Sequence, residues 1–232
     1  MMNQGEKSYK SFLSNRILVF FSGVFLVFAF VVFSYLVHKN LFTQLDFDTT
    51  VRLQDNISRR FDVIFSTFSD IGKFEVCLVV LVVFFAFLRK IIAGFVGLVL
   101  FAGFHVVELF GKFFVDHLPP PEFLLRTKTI VDFPQFHVRS DNSYPSGHAG
   151  RTMFISVLFI VAILKSRLPI FVKFFMIGGI VVFDGIMLVS RAYLGEHWMS
   201  DVIGGSLLGM GLGVICSVFL IEEKSKSKIK ES

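Results

Sequence analysis

Long apolar runs alternate with short polar segments along this chain, and six of the runs approach the length of a membrane-spanning helix. They cover residues 17–38, 74–88, 91–111, 151–165, 169–190 and 201–221. About 20 apolar residues in a helix cross the roughly 30 Å hydrocarbon core of a bilayer. The pattern therefore predicts an all-α, polytopic membrane helix bundle with about six transmembrane helices, in which flanking residues extend the short second and fourth runs.

A different pattern fills residues 39–73, where apolar and charged residues alternate at roughly helical spacing. It predicts one or two amphipathic helices on the outer surface of the bundle, which either cover it or guide a lipid toward it. A solvated cap is an equally good interpretation of the same residues. No internal repeat or low-complexity linker interrupts the chain, so we expect residues 1–232 to form a single domain.

The composition of the chain supports an integral membrane protein. Of its 232 residues 54% are hydrophobic, 32 are phenylalanine, and the mean hydropathy is +0.71, which excludes an ordinary soluble domain. The first run is too long for a signal-peptide core and no small-residue cleavage site follows it, so we expect a retained helix. Cys77 and Cys216 have neither metal-ligand nor disulfide spacing.

The distribution of basic residues predicts the orientation of the bundle. They lie in two short connections and in both tails: Arg89, Lys90, Lys165, Arg167 and Lys173, and residues 1–16 and 222–232. By the positive-inside rule these segments and both termini face the cytoplasm, which leaves residues 39–73, 112–150 and 191–200 on the outer face. Because the net charge of +5 comes largely from such clusters, we expect membrane lipids rather than nucleic acid as partners.

Ionisable and polar residues gather at the outer ends of three different predicted spans. They are Glu108 and Lys112, then Ser146, His148 and Arg151, and finally Arg191, His197 and Asp201. Polar residues at membrane depth are costly and usually face a bundle interior or a water-filled site. We therefore expect these three clusters to converge on one site, with the loop 112–150 beside it.

The stretch "SRAYLGEHWMSD" contains a candidate nucleophile. His197 and Asp201 are spaced i, i+4, so they share one face if this turn is helical. An aspartate that accepts the Nδ1 proton of an imidazole leaves Nε2 as a nucleophile or base. Arg191 offers a planar fork suited to two phosphate oxygens. Structural hydrogen bonding explains the His–Asp pair alone equally well.

The stretch "YPSGHAGRT" is typical of a helix start that binds an anion. Ser146 can cap the helix, Gly147 lets backbone N–H groups approach a ligand, and His148 in the first turn can donate a proton. A cap followed by a surface histidine is the alternative. We expect Arg151 only to anchor the helix at the interface.

The stretch "VELFGKFF" adds a cation, because Lys112 follows Glu108 by four residues and the carboxylate can hold the ammonium group in place. A snorkelling pair at the interface is the alternative. Asp184 is a lone intramembrane acid whose partner the sequence does not show. The other histidines have no spacing typical of metal binding and stay outside the predicted site: His38, His105, His117 and His137.

Together these stretches resemble the motifs of the type-2 phosphatidic acid phosphatase family, whose superfamily also holds the vanadium haloperoxidases. The second motif, P-S-G-H, matches Pro145, Ser146, Gly147 and His148. The third motif, S-R-x5-H-x3-D, matches Ser190, Arg191, His197 and Asp201. The order of the motifs along the chain and their positions at span ends extend the resemblance to most of the sequence.

The first motif of that family, K-x6-R-P, is damaged here. Lys112 and Pro120 have the right spacing, but Pro119 stands where the family has arginine. Arg126 or Arg139 could reach back to replace this cation, and we favour Arg126 because the loop from Lys112 is short and its prolines restrict it. Weaker phosphate binding with reduced activity is the alternative.

The resemblance implies a site and a mechanism. His197 would attack phosphorus in line and become phosphorylated, Asp201 would orient it, and His148 would protonate the leaving oxygen and then help activate water. A set of donors would hold the phosphate oxygens: Lys112, Arg191, Ser146, Ser190 and the Gly147 amide. No metal and no other cofactor is implied, because fixed cations neutralise the phosphate.

The sequence therefore predicts a metal-independent phosphatase acting on a phosphomonoester or pyrophosphate of a membrane lipid, at the outer face of a bacterial cytoplasmic membrane. Phosphatidic acid, phosphatidylglycerol phosphate, diacylglycerol pyrophosphate and polyprenyl pyrophosphate are the substrates that the resemblance implies. Because the motif arginine is missing, a lipid-phosphate binder or flippase without turnover is the alternative. A structural membrane protein with accidental polar clusters is a third hypothesis.

Overall fold

The computed structural model describes residues 15–128 and 142–221, which form eight α-helices joined by loops and short 3-10 turns. The helices are α1 (Arg16–His38), α2 (Thr43–Asn56), α3 (Asp62–Ser69), α4 (Phe74–Leu88), α5 (Ile91–Phe114), α6 (Gly147–Lys165), α7 (Ile170–Tyr193) and α8 (Met199–Ser217). No strand occurs within these two ranges, and the predicted all-α class is confirmed.

Five of the helices in the described residues, namely α1, α5, α6, α7 and α8, are long and apolar enough to cross a membrane. Helix α4 has 15 residues, a length of about 22 Å, so it falls short of a bilayer by itself. Together with the preceding helical segment, residues 59–72, it passes as a sixth span that is bent by 51°. The prediction of about six spans is thus confirmed.

Helix α8 lies at the centre of the bundle and packs against α1, α5 and α6. Glycine permits the closest of these contacts, because a Cβ at Gly209 would lie 2.0 Å from the carbonyl oxygen of Gly150. No side chain fits in that space, so α6 and α8 meet backbone to backbone. The crossing lies near the N-terminus of α6 and fixes the position of this terminus relative to α8.

Helix α2 turns its polar face toward the bundle. Asp46 and Gln54 are buried, while Leu45 and Phe47 on the other side are exposed. Asp46 accepts hydrogen bonds from the backbone N–H and the hydroxyl of Ser200, at 2.8 and 2.6 Å. Residues 39–73 thus contain amphipathic helices as predicted, and α2 exposes apolar side chains on its outward side. Their position at the membrane surface stays a prediction.

An apolar cavity of about 760 Å³ lies between α4, α6 and α7. Its wall runs from Ile71, just before α4, to Leu88, the last residue of α4. Ser156 also lines this cavity, and its hydroxyl donates to the Asp184 carboxylate at 2.8 Å. This serine is the partner of the intramembrane acid that the sequence left without one.

Candidate active site

A polar cavity of about 520 Å³ lies where α5 ends, α6 begins and α7 leads into α8. Polar groups from all three places line it: Glu108, Lys112, Gly147, His148, Arg151, Arg191, Glu196 and His197. Lys73, Glu75 and His105, which the sequence did not place in the site, line it as well. Most of the remaining wall consists of apolar residues of α4 and α5. The structure thus brings together the three clusters that the sequence places far apart.

His197 and Asp201 form a hydrogen-bonded pair at the start of α8. The Nδ1 atom of His197 lies 3.3 Å from Oδ2 of Asp201, and the Trp198 backbone N–H donates to the same oxygen at 3.0 Å. Asp201 is fully buried, whereas His197 lines the cavity. Because Nδ1 faces the carboxylate, Nε2 is the nitrogen that remains for a ligand.

A second imidazole, that of His117, lies against the other oxygen of Asp201. Its Nδ1 is 2.8 Å from Asp201 Oδ1. The sequence-based site omitted His117 because these two residues are 84 positions apart, and no spacing rule joins them. The one available signal was its place five residues after Lys112, inside the damaged first motif.

Ser146, Gly147 and His148 form the N-terminus of α6 beside this pair. The Ser146 N–H donates to the Asp201 carbonyl at 3.0 Å, and the Ser146 hydroxyl is buried without a hydrogen-bond partner in the described residues. A Cβ on Gly147 would lie 2.1 Å from Oε1 of Glu108, so only glycine fits there. His148 lines the cavity in the first turn, where free backbone N–H groups favour an anion.

Glu108 holds two cations at the cavity wall. The ammonium of Lys112 lies 3.6 Å from Oε1 of Glu108, and Nη1 of Arg151 lies 3.2 Å from Oε2. Arg151 is only 7% exposed, and its Nε donates to the Gly72 carbonyl at 2.9 Å. The prediction that Arg151 only anchors α6 at the interface is therefore wrong, because the buried carboxylate draws its guanidinium toward the cavity.

Arg191 is a further cation of the cavity and is 1% exposed. Its Nη1 donates to the Ser69 hydroxyl and its Nη2 to the Glu196 carboxylate, while Thr127 donates to the other Glu196 oxygen at 2.5 Å. The Nε of Arg191 is buried with no hydrogen-bond partner within the described ranges. A buried donor without a hydrogen bond destabilises the fold by about 1–3 kcal/mol. An oxyanion that accepted a hydrogen bond from this Nε would remove that destabilisation.

Ser190 lies elsewhere than predicted. It is fully buried, and its hydroxyl donates to the Met187 carbonyl of its own helix at 2.7 Å. It is not among the residues that line the cavity. Instead of donating to a phosphate, Ser190 satisfies its hydroxyl within the helix that carries Arg191.

The structure does not bring Arg126 to the cavity either. Its guanidinium lies over the Tyr193 ring, 5.2 Å from the centroid, and donates to the Tyr193 hydroxyl at 3.3 Å. Arg139, the other predicted replacement, lies outside the described residues. Two cations line the cavity beyond those predicted: Arg151, which α6 carries one turn after its N-terminus, and Lys73, which forms an ion pair with Asp70 at 2.8 Å.

The surroundings of His197 control its protonation. Burial lowers the pKa of this imidazole below its ordinary value, and the nearby Arg191 and Lys112 lower it further. The hydrogen bond and the charge of Asp201 act in the opposite direction but do not reverse the shift. His197 is therefore neutral at neutral pH, as a nucleophile must be.

Positive charge in the cavity comes from arginine and lysine side chains. Within residues 15–128 and 142–221, no group of three or more His, Cys, Asp or Glu side chains is arranged to hold a metal ion. The chemistry that these side chains support is binding of an oxyanion next to the imidazoles of His148 and His197.

A family model agrees with this arrangement. The model of the PAP2 superfamily matches residues 91–224, which is more than half of the chain and includes α5 to α8 and all of the motif residues. This chain belongs to the PAP2 superfamily.

Individual relatives add detail. One is an undecaprenyl-diphosphatase from Sulfolobus acidocaldarius, 32% identical over 118 residues, a match that covers 49% of this chain and 50% of the relative. The chain thus matches about half the length of that protein. A solved relative is a transmembrane PAP2-type phosphatidylglycerolphosphate phosphatase from Bacillus subtilis, with a TM-score of 0.65, 22% identity, and coverage of 89% of this chain and 98% of the other. At that identity the similarity shows the fold, that of an integral membrane protein.

Proposed function

We propose that this protein is a metal-independent phosphatase that hydrolyses a phosphomonoester or pyrophosphate of a membrane lipid through a phosphohistidine intermediate. One observation carries the proposal: His197 and His148 line the same cavity as Lys112, Arg151 and Arg191. His197, which Asp201 orients, supplies the nucleophile, His148 moves the proton, and fixed cations supply the charge stabilisation that phosphoryl transfer needs. The names of both relatives, a diphosphatase and a phosphatase of lipids, support this reaction class.

In the first step, Nε2 of His197 attacks phosphorus while Asp201 holds the Nδ1 proton. The bond between phosphorus and the leaving oxygen breaks, and His148 gives its proton to that oxygen. A monoester thus releases the lipid alcohol, and a pyrophosphate releases the lipid monophosphate. Cations such as Arg191 and Lys112, with the donors at the start of α6, stabilise the charge on the equatorial oxygens.

In the second step, water attacks the phosphorus of phosphorylated His197. His148, now neutral, accepts a proton from that water, the phosphorus–nitrogen bond breaks, and inorganic phosphate leaves. Both imidazoles thereby return to their starting protonation states. Because the Glu196 carboxylate is bound to Arg191, an incoming phosphate competes with it for the guanidinium.

Two features support a lipid as the substrate. The polar cavity lies at helix ends, where lipid headgroups are found, and the apolar cavity extends along the whole of α4. We propose that the hydrocarbon tail lies there, while the phosphate reaches His197.

Basic residues in the connections after α4 and α6, such as Arg89 and Arg167, support a cytoplasmic location for the opposite helix ends and for the termini. The site then faces the outer side.

The activity is tested by phosphate release from a panel of phosphatidic acid, phosphatidylglycerol phosphate and polyprenyl pyrophosphate, in the presence of a chelator. We expect release by the unmodified protein and by His38→Gln, since His38 does not line the cavity, but none by His197→Ala. An acid-labile phosphoryl group trapped on His197 identifies the intermediate. Full release by His197→Ala would refute the mechanism, and lipid binding without release by the unmodified protein would favour the binder.

The position of the lipid tail is tested with a matched pair of glycines in α7. Gly179 lines the apolar cavity, Gly178 does not, and a Cβ at either meets no atom within 4 Å. We expect Gly179→Phe to raise KM for long-tailed lipids and Gly178→Phe to leave it unchanged. Equal effects of both substitutions would place the tail elsewhere.

A further inference from the structure

His117 does not line the cavity, yet it binds the carboxylate that holds the proposed nucleophile. It is 5% exposed, and its Nδ1 is 2.8 Å from Oδ1 of Asp201, whereas Nδ1 of His197 is 3.3 Å from Oδ2. The two imidazoles therefore occupy the two oxygens of one buried carboxylate, and the closer of the two belongs to His117.

The backbone of His117 is held independently of Asp201. Its N–H donates to Oδ1 of Asn142 at 3.0 Å, and its carbonyl accepts hydrogen bonds from the N–H and the hydroxyl of Ser143, at 2.9 and 3.1 Å. Its ring also meets the Tyr144 ring edge to face, with centroids 6.4 Å apart. Because these contacts hold the residue, its ring can in turn hold the carboxylate.

A second carboxylate faces the other ring nitrogen of His117. Nε2 lies 3.7 Å from Oδ2 of Asp46, which α2 contributes and which Ser200 holds by two hydrogen bonds. Burial alone lowers the pKa of His117, but the hydrogen bond to Asp201 and the charges of both carboxylates outweigh it and raise this pKa above its usual value. The imidazolium form is thereby favoured near neutral pH.

We propose that His117 is a positioning residue, which fixes the Asp201 carboxylate and, through it, the ring of His197. The inference rests on the proposed function, in which His197 is the nucleophile. With His117 on Oδ1, Asp201 cannot rotate, and Oδ2 is the oxygen that meets His197. Positive charge on His117 also offsets the charge of Asp201, so that His197 is less basic than it would be beside a free carboxylate.

Three variants test this proposal in a phosphate-release assay with one lipid, so that the ionisation of the substrate is the same throughout. His117→Ala removes the contact, and His117→Asn retains an amide donor near the position of Nδ1 but carries no charge. His38→Asn is the matched control, since His38 is 3.8 Å from Asp116 and does not contact the cavity. We expect His117→Ala to lower kcat about 10- to 100-fold with little change in KM, as for other residues that orient a catalytic group.

The pH profile separates positioning from mere support of the fold. The charged or titratable groups that face His197 are Asp201, Arg191, Lys112 and His148, and those that face His117 are Asp46 and Asp201. Without the cation at 117, the pKa of His197 rises, so its neutral form needs a higher pH. We therefore expect His117→Asn to recover part of kcat but to move the acidic limb of kcat/KM to higher pH.

The proposal would be overturned if kcat of His117→Ala stayed within twofold of the unmodified value. It would also be overturned if His117→Asn lost kcat while the acidic limb of its kcat/KM profile stayed at the same pH. Titration of isotope-labelled histidines by NMR gives the pKa of His197 without any turnover. If the unmodified protein released no phosphate, the proposed function would fail. An upward shift of the His197 pKa in His117→Asn would then still support the positioning role, and an unshifted value would refute it.

Discussion

Two buried carboxylates hold side chains of the cavity, and only one of the two has lysine and arginine among its partners. Asp201 binds two imidazoles, those of His197 and His117, whereas Glu108 binds the ammonium of Lys112 and the guanidinium of Arg151 in addition to one imidazole, that of His105 at 3.1 Å. An imidazole changes charge near neutral pH, but lysine and arginine do not. The Asp201 side is therefore suited to transfer of protons and of the phosphoryl group, and the Glu108 side to holding a constant positive charge.

This difference predicts separate kinetic effects. Groups that act on the nucleophile matter mainly when bonds change, so their loss lowers kcat. Cations attract the phosphate in the ground state as well as in the transition state, so their loss raises KM. Substitutions at and around the two carboxylates test this difference between effects on kcat and effects on KM.

The largest effect is expected from Asp201→Asn. An amide cannot accept protons from both imidazoles, and it favours the wrong tautomer of His197, so kcat should fall about 10³- to 10⁴-fold. The rate of phosphate release at saturating lipid measures this loss. Asp184→Asn is the matched control, because Asp184 is a buried acid that binds Ser156 away from the polar cavity. A loss of less than tenfold in Asp201→Asn would remove Asp201 from the mechanism.

The Glu108 side is tested with Arg151→Gln. Removal of one partner of a buried ion pair destabilises a protein by about 3–5 kcal/mol. Loss of the cation should also raise KM roughly tenfold, which corresponds to about 1.4 kcal/mol of binding free energy. The double variant Arg151→Gln with Glu108→Gln should regain much of the thermal stability but keep the raised KM. If KM recovered together with stability, Arg151 would support the fold and not the phosphate.

A smaller effect of opposite sign is expected from Glu196→Gln. The Glu196 carboxylate competes with phosphate for Arg191, so its neutral analogue should lower KM by about 2- to 10-fold, or roughly 0.4 to 1.4 kcal/mol. Glu122→Gln makes the same charge change at an exposed position in the segment after α5. An unchanged or raised KM in Glu196→Gln would show that Glu196 positions Arg191 and does not compete with the substrate.

The smallest effect is expected from Arg126→Gln. Its guanidinium packs on Tyr193 outside the cavity lining, so KM should change less than about twofold, while stability falls by about 0.5–1 kcal/mol with the lost cation–π contact. A tenfold rise in KM would contradict this expectation. Arg126 would then replace the motif arginine that is absent at Pro119.

Most of the fold was predictable because its signals are local. Apolar runs of helical length located α1 and α5 to α8 within a few residues, and the i, i+4 spacing of His197 and Asp201 predicted the pair that the structure contains. The convergence of three helix ends followed from the cost of polar groups at membrane depth.

The features that were missed depend on contacts between distant segments. Nothing local connects His117 to Asp201. A charged residue near the start of a helix, such as Arg151, gives the same sequence pattern whether it faces lipid headgroups or a buried carboxylate. Arg126 was favoured on loop length alone, but the Tyr193 hydroxyl and ring bind its guanidinium. Tertiary partners, which no spacing rule specifies, decided each of these cases.

The backbone contact between α6 and α8 separates two properties of the site: the spacing of its reacting groups and its preference among lipids. Since no side chain stands between Gly150 and Gly209, main-chain atoms set the interval between the helix of His148 and that of Asp201. Binding of a different lipid therefore does not change the distance between these two helices. We therefore expect lipid preference to be set by α4 and α7, which form the other walls of the apolar cavity proposed for the tail. A redesign of that preference can be confined to those walls while the reacting groups keep their geometry.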